Sequence, residues 1–215
     1  MIDVTEQINA VTRTVGTRTL AAGEARVITL SQVYPTDQHD LWDACTSIER
    51  IPRWFLPITG ELKVGGHYQF EGNAGGTIER CDPPTGFDAT WEMGGEVSWI
   101  EVRLTPEANG STRFTLEHVA HVDDERWAEY GPGAVGVGWE GGLLGLFLYL
   151  KAGPETVGLP EAGLEWAGSQ DGRRFMALAS ERWAAASIAA GTDEAAARAA
   201  AARTTAFYTT PPPSP

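Results

Sequence analysis

The chain has 215 residues, enough for one sizeable core and a small appendage. Its formal net charge of −13 argues against nucleic acid and against an anionic membrane surface as partners, since both select basic proteins. With 42% apolar and 21% charged residues the composition is that of a soluble globular protein, and eight Trp can wall a broad core or a pocket.

The start, "MIDVTEQINAV", carries acidic residues and no long apolar run, so no signal peptide is expected. Residues 1–24 form an N-terminal segment ahead of the first patterned run. "ARVITLSQV" then reads as a strand, with Val27, Thr29, Ser31 and Val33 on one face. Thr36 is placed to cap a short helix carrying Leu41, Trp42 and Cys45, and "SIERIPRWF" adds a helical piece interrupted by Pro52. Its Pro52-Arg53-Trp54-Phe55 end suits either a lid over a cavity or a hydrophobic plug.

The period then changes to two. "ITGELKV", "HYQFE", "GGTIERC", "GFDATWEM", "EVSWIEVRL" and "TRFTLEHVA" are strand-like runs separated by short Gly, Asn and Pro turns. Such gaps favour hairpins and hence an antiparallel meander. Phe87, Ala89, Trp91 and Met93 share one face, as do Ile100, Val102 and Leu104, and Phe114, Leu116 and His118.

"GPGAVGVGWEGGLLGLFLYL" contains a literal G-x-G-x-x-G at Gly131, Gly133 and Gly136. A dinucleotide site needs that loop between a strand and a crossover helix leading to a parallel strand, and no strand follows here. The stretch reads instead as a helix from about Ala134 to Lys151, with Val135, Trp139, Leu143, Phe147 and Leu150 on the stripe facing the sheet. Leu144 and Leu148 make it apolar on a second side, Glu140 reads as a solvated position, and Gly141, Gly142 and Gly145 imply very close packing. Its "LLGLFLYL" is far shorter than the roughly 20 residues of a membrane span.

A Gly- and Pro-bearing connector, Ala152 to Gly168, leads to two Ala-rich helices. The first carries Phe175, Leu178, Ala179 and Trp183 on one side and stops at Gly191; the second starts at Thr192-Asp193-Glu194. They are expected to cover the second side of the long helix, within one chain or across the two-fold axis of a homodimer. The "PPPSP" tail, 211–215, is expected to be disordered.

The segment "LWDACTSIERIPRWFLPITGELKVGGHYQFEGNAGGTIERCDPP", with "TWEMGGEVSWIEVRL" and "GPGAVGVGWEGGL", resembles bacterial homologues of the activator of heat-shock protein 90 ATPase, in the SRPBCC superfamily. The resemblance covers 25–151 and implies an α+β helix-grip fold, a curved antiparallel sheet around a long helix, with 152–210 as a helical extension. It also implies a cavity between sheet and helix that often takes an apolar or amphipathic small molecule.

The first expectation is therefore a cytoplasmic, cofactor-free protein that binds a hydrophobic or aromatic small molecule without catalysis. The wall would comprise Trp54, Phe70, Trp91, Ile100, Phe114, His118, Trp139, Leu143 and Phe147, since such sites are apolar with a few polar groups. A stress-related, co-chaperone-like interaction module with a filled core, its partner a chaperone, is the alternative. A polyketide cyclase-like pocket enzyme, which the resemblance also implies and which needs only a few polar pocket groups, ranks third, while nucleophilic catalysis has no G-x-S-x-G elbow and no local Cys–His pair behind it. Cys45 and Cys81 lack metal or redox spacing and read as reduced thiols. His118 and His121, three apart on a strand, should diverge, so "HVAHVDDERW" is not expected to bind metal. Arg80 would need an anionic partner if it shared the inner face with Ile78, and would otherwise reach water.

Overall fold

The computed structural model describes residues 2–153 and 159–210; the tail expected to be disordered, 211–215, lies outside them. A helix α1 (Val4–Ala10) precedes a hairpin of β1 (Thr12–Leu20) and β2 (Gly23–Tyr34). Helix α2 (Gln38–Thr46) and a 3-10 turn at Ile51–Arg53 lead into β3 (Ile58–Gly60), β4 (His67–Phe70), β5 (Gly75–Asp82), β6 (Gly86–Met93), β7 (Glu96–Pro106) and β8 (Thr112–Ala120). Five helices follow: α3 (Asp124–Tyr130), α4 (Gly133–Ala152), α5 (Leu159–Ala167), α6 (Gln170–Ala189) and α7 (Glu194–Thr209). The strands form one eight-stranded antiparallel sheet in the order β1-β2-β8-β7-β6-β5-β4-β3, so the meander is closed by β8 pairing back onto β2. The long helix α4 lies against one face of the sheet, which is the α+β helix-grip arrangement.

Strand alternation decides what faces α4. Ile28, Leu30 and Tyr34 of β2, Val102 and Leu104 of β7, and Phe114 and Leu116 of β8 share a buried cluster with Val137, Leu143, Leu146 and Tyr149 of α4. Tyr34 donates from its hydroxyl to the Leu143 carbonyl at 3.0 Å, which fixes β2 against the helix. The opposite side of α4 is covered by α6, whose Phe175 and Trp183 are fully buried in the same cluster as Leu144. The glycines of α4 make this double coverage possible. A methyl group at Gly136 would lie within 2.7 Å of three atoms of the Trp183 ring, and one at Gly145 only 2.4 Å from the Trp54 carbonyl oxygen. Among the described residues α4 is the one helix long and apolar enough to cross a membrane, and it is the central helix of the fold.

Several expectations are corrected. The N-terminal segment, 1–24, contains α1, capped by Asp3, and β1, which extends the sheet beyond β2. Asp37, not Thr36, caps α2, while the Thr36 hydroxyl donates to Asp40 at 2.6 Å. The acidic "DDER" run starts a short helix, α3, capped by Asp123, and the connector contains α5. Only Ile58–Gly60 of "ITGELKV" is strand. Val135 and Met93, expected on inner faces, are exposed because each lies at the end of its element, beyond the packed surface.

Glu140 is the sharpest correction. It is fully buried rather than solvated, because the face of α4 away from water is wider than one stripe. Arg13 of β1 meets it with Nε to Oε1 at 2.7 Å, and also donates to the carbonyls of Val11 and Ile8. Burial pushes the Glu140 carboxyl above the usual carboxylate range, and Arg13 opposes that shift.

A β-bulge settles Arg80. Ile78 pairs with Ala89 but Arg80 with Asp88, so Glu79 is the extra residue and the alternation beyond it is reversed. Arg80 therefore turns outward to Asp88, at 2.6 Å, in a ladder of surface ion pairs that continues through Arg103 and Glu101 to Arg18. The same reversal turns Cys81 inward.

Candidate functional site

Between α4, α2, the 51–56 segment and the inner faces of the sheet lies a cavity of about 340 Å³. None of its 24 lining residues is charged, and nine are aromatic. Seven of the nine expected wall residues line it: Trp54, Phe70, Trp91, Ile100, Phe114, Trp139 and Leu143. Phe147 does not; it lies about two turns from Trp139 on α4, partly buried against the core, with the Lys151 ammonium over its ring. His118 stands behind the wall rather than in it.

Sequence reasoning missed Trp42, Cys45, Phe55, Cys81 and Phe87, which also line the cavity. For four of them the signal was present. Trp42 and Cys45 lie on the apolar side of α2, Phe87 shares its strand face with Ala89 and Trp91, and Phe55 adjoins Trp54. For Cys81 there was none, because its inward turn depends on the bulge at Glu79.

His118 organises the aromatic wall. It is deeply buried, and burial lowers its pKa to about 4, so the ring is neutral near pH 7. The Trp139 indole can only donate, so His118 Nδ1 accepts its N–H at 2.9 Å. The proton then resides on Nε2, which donates to Ser98 Oγ at 2.8 Å, and Ser98 in turn donates to the Trp91 carbonyl at 3.0 Å. One histidine thus holds two tryptophans of the wall, and these pack together with ring centroids 4.7 Å apart.

From this pair the aromatic contacts close into a ring of four. Trp91 packs on Phe70 at 5.7 Å, Phe70 meets Phe55 edge-on at 5.0 Å, and Phe55 lies parallel to Trp139 at 6.4 Å. Phe55 reaches this position over Gly142, where a methyl group would sit 3.4 Å from its ring. Trp54 is pinned beside it by an indole bond to the Ala44 carbonyl at 2.9 Å. The Trp54-Phe55 pair is therefore packed wall, seated on a glycine notch of α4.

The other sequence candidates are not brought together. His121 is exposed and bonds the Glu24 carbonyl, on the other side of β8 from His118, and no group of three or more metal-ligating side chains occurs among the described residues. Burial pushes the Cys45 thiol up to about 12, which keeps it protonated. A depression of about 370 Å³ on the outer face of the sheet carries Arg18, Asp88 and Glu101 of the ion-pair ladder and has a different, charged character.

Comparison with known proteins adds the following. Residues 35–150, just over half of the chain, match the sequence profile described as Activator of Hsp90 ATPase homolog 1-like protein. The crystal structure of CalU16 from Micromonospora echinospora is similar at 34% identity, covering 82% of this chain and 98% of that one, with a TM-score of 0.65. The solution structure of CalU16 gives 0.68, at 34% identity over 85% of this chain and 97% of that one. The likeness to CalU16 thus extends beyond the segment matched by the profile. Protein MLL2253 from Mesorhizobium loti shares the fold at 20% identity, covering 59% of this chain and 98% of its own, with a TM-score of 0.53. No curated protein matches the sequence.

Proposed function

The chain belongs to the family of Activator of Hsp90 ATPase homolog 1-like proteins, and from that premise we propose that it binds a hydrophobic or aromatic small molecule, without transforming it, between its sheet and α4. The observation that carries this reading is the cavity itself: about 340 Å³, with no charged residue on its lining. Protein cores are packed as densely as organic crystals and tolerate few voids larger than a water molecule. This space is only partly enclosed, so water can reach its apolar lining, and a ligand that covers the lining gains roughly 25 cal/mol per Å² of apolar surface taken out of water.

Binding is favoured over turnover by the state of the polar groups. Both ring nitrogens of His118 are engaged with Trp139 and Ser98, and the Cys45 thiol is held protonated, so neither stands ready as base or nucleophile. Native mass spectrometry of the freshly purified protein tests the reading. A co-released organic molecule, or saturable uptake of an apolar aromatic from solution, is the expected result. An apo mass that no apolar probe shifts would overturn it.

A further inference from the structure

Resting on that reading of the cavity, we infer that its ligand is an uncharged, flat, fused-ring aromatic molecule, rather than a fatty chain or a charged metabolite. Size comes first. A cavity of about 150 Å³ accommodates one benzene, so 340 Å³ has room for about two to three fused rings.

Charge is excluded by what surrounds the lining. The two ionic groups lying closest in sequence and fold to the lining, Arg50 and Glu140, each have partners away from it. Arg50 bonds Asp40, Asp43 and the Tyr149 hydroxyl, and Glu140, adjacent in sequence to Trp139, is paired with Arg13 on the opposite side of α4. A carboxylate or ammonium taken into this site would be desolvated without a partner, the costliest burial a ligand can suffer.

The hydrogen-bonding groups are spent in the same way. The Thr46 hydroxyl donates to the Trp42 carbonyl at 2.8 Å, Tyr68 to the Thr90 carbonyl at 2.7 Å, and the Trp54 and Trp139 indoles to Ala44 and His118.

Shape is set by the four-ring cycle of Phe55, Phe70, Trp91 and Trp139. Aromatic rings prefer offset or edge-on contact with other rings beyond what apolar area alone supplies. A flat polycycle can meet these rings in offset or edge-on contact, whereas an aliphatic chain gains only apolar contact from them.

Calorimetric titration of the full chain with 9-fluorenone, 9-fluorenone-2-carboxylate and dodecan-1-ol separates these claims. The neutral ketone is expected to bind tightest, the carboxylate at least ~100-fold more weakly, and the alcohol at least about tenfold more weakly. Trp91→Leu keeps the lining apolar and removes one ring; it should weaken the ketone more than the alcohol, with an unchanged far-UV circular dichroism spectrum certifying the fold. Equal or tighter binding of the alcohol, or of the carboxylate, would overturn the ligand class while leaving the cavity as a binding site. Failure of all three to bind would overturn both readings.

Discussion

The indole N–H of Trp139 on α4 donates to Nδ1 of His118 on β8 at 2.9 Å, and this bond requires a neutral histidine. Protonating Nδ1 would set two donors against each other. The folded-state pKa, about 4, lies below the ordinary 6.5, so the unfolded chain takes up the proton first as pH falls. The contribution is fully present above pH 6.5, is lost between 6.5 and 4, and declines no further below 4. The gap corresponds to about 3 kcal/mol. Urea denaturation of the wild type should show this loss superimposed on the carboxylate titrations, and His118→Gln, which can still bond both neighbours but cannot titrate, should lack it. Identical pH profiles for the two proteins would contradict the assignment.

The buried pair of Arg13 and Glu140 joins the N-terminal strand to the middle of α4. Removing one partner leaves a buried charge without compensation, at a cost of about 3–5 kcal/mol. Arg13→Met and Glu140→Leu should each destabilise by that order, and the double variant much less than their sum. Additive losses in a double-mutant cycle on the urea midpoints would show that the two side chains do not act as a pair.

Two glycines of α4 should respond to alanine with opposite signs. At Gly141 a methyl group meets nothing within 4 Å, so Gly141→Ala should stabilise by about 1 kcal/mol through helix propensity. At Gly136 the methyl would overlap the Trp183 ring, so Gly136→Ala should destabilise by about 1–3 kcal/mol. Thermal unfolding of both variants checks the α4–α6 contact; a stabilised Gly136→Ala would mean that α6 does not sit on this face.

These positions also show where sequence reasoning reached and where it stopped. The inner faces of β6, β7 and β8 were legible, because a sheet with one face buried writes its orientation as strict alternation, and Trp91, Ile100 and Phe114 lie on the cavity wall accordingly. The long helix was legible from its period, which placed Trp139 and Leu143 on the same wall. Strand β1 was not: "TRTVGTRTL" lies at the sheet edge, is largely exposed, and so lacks the apolar signal of its neighbours. Glu140 was misread because its burial depends on Arg13, 127 residues away. The inward turn of Cys81 follows from a register shift that no local pattern announces.

Removal of α6 and α7 should be damaging in a specific way. Trp183 and Phe175 are fully buried against α4, and deletion of 169–215 would open that face, with Leu144, to water. The truncated protein should aggregate or bind a hydrophobic dye. A soluble, monomeric and equally stable product would show that the two helices do not cover α4.

The central claim is that the space between sheet and α4 receives a ligand, and methyl NMR tests it most directly. With 9-fluorenone titrated into the protein labelled at Ile, Leu and Val methyl groups, Ile100, Val102, Leu116 and Leu143 line the cavity, whereas Val64, Val97 and Val135 are exposed outside it. Saturable shifts confined to the first set are the result expected here. No saturable shifts with 9-fluorenone, its 2-carboxylate or dodecan-1-ol, or shifts confined to the exposed set, would contradict the claim.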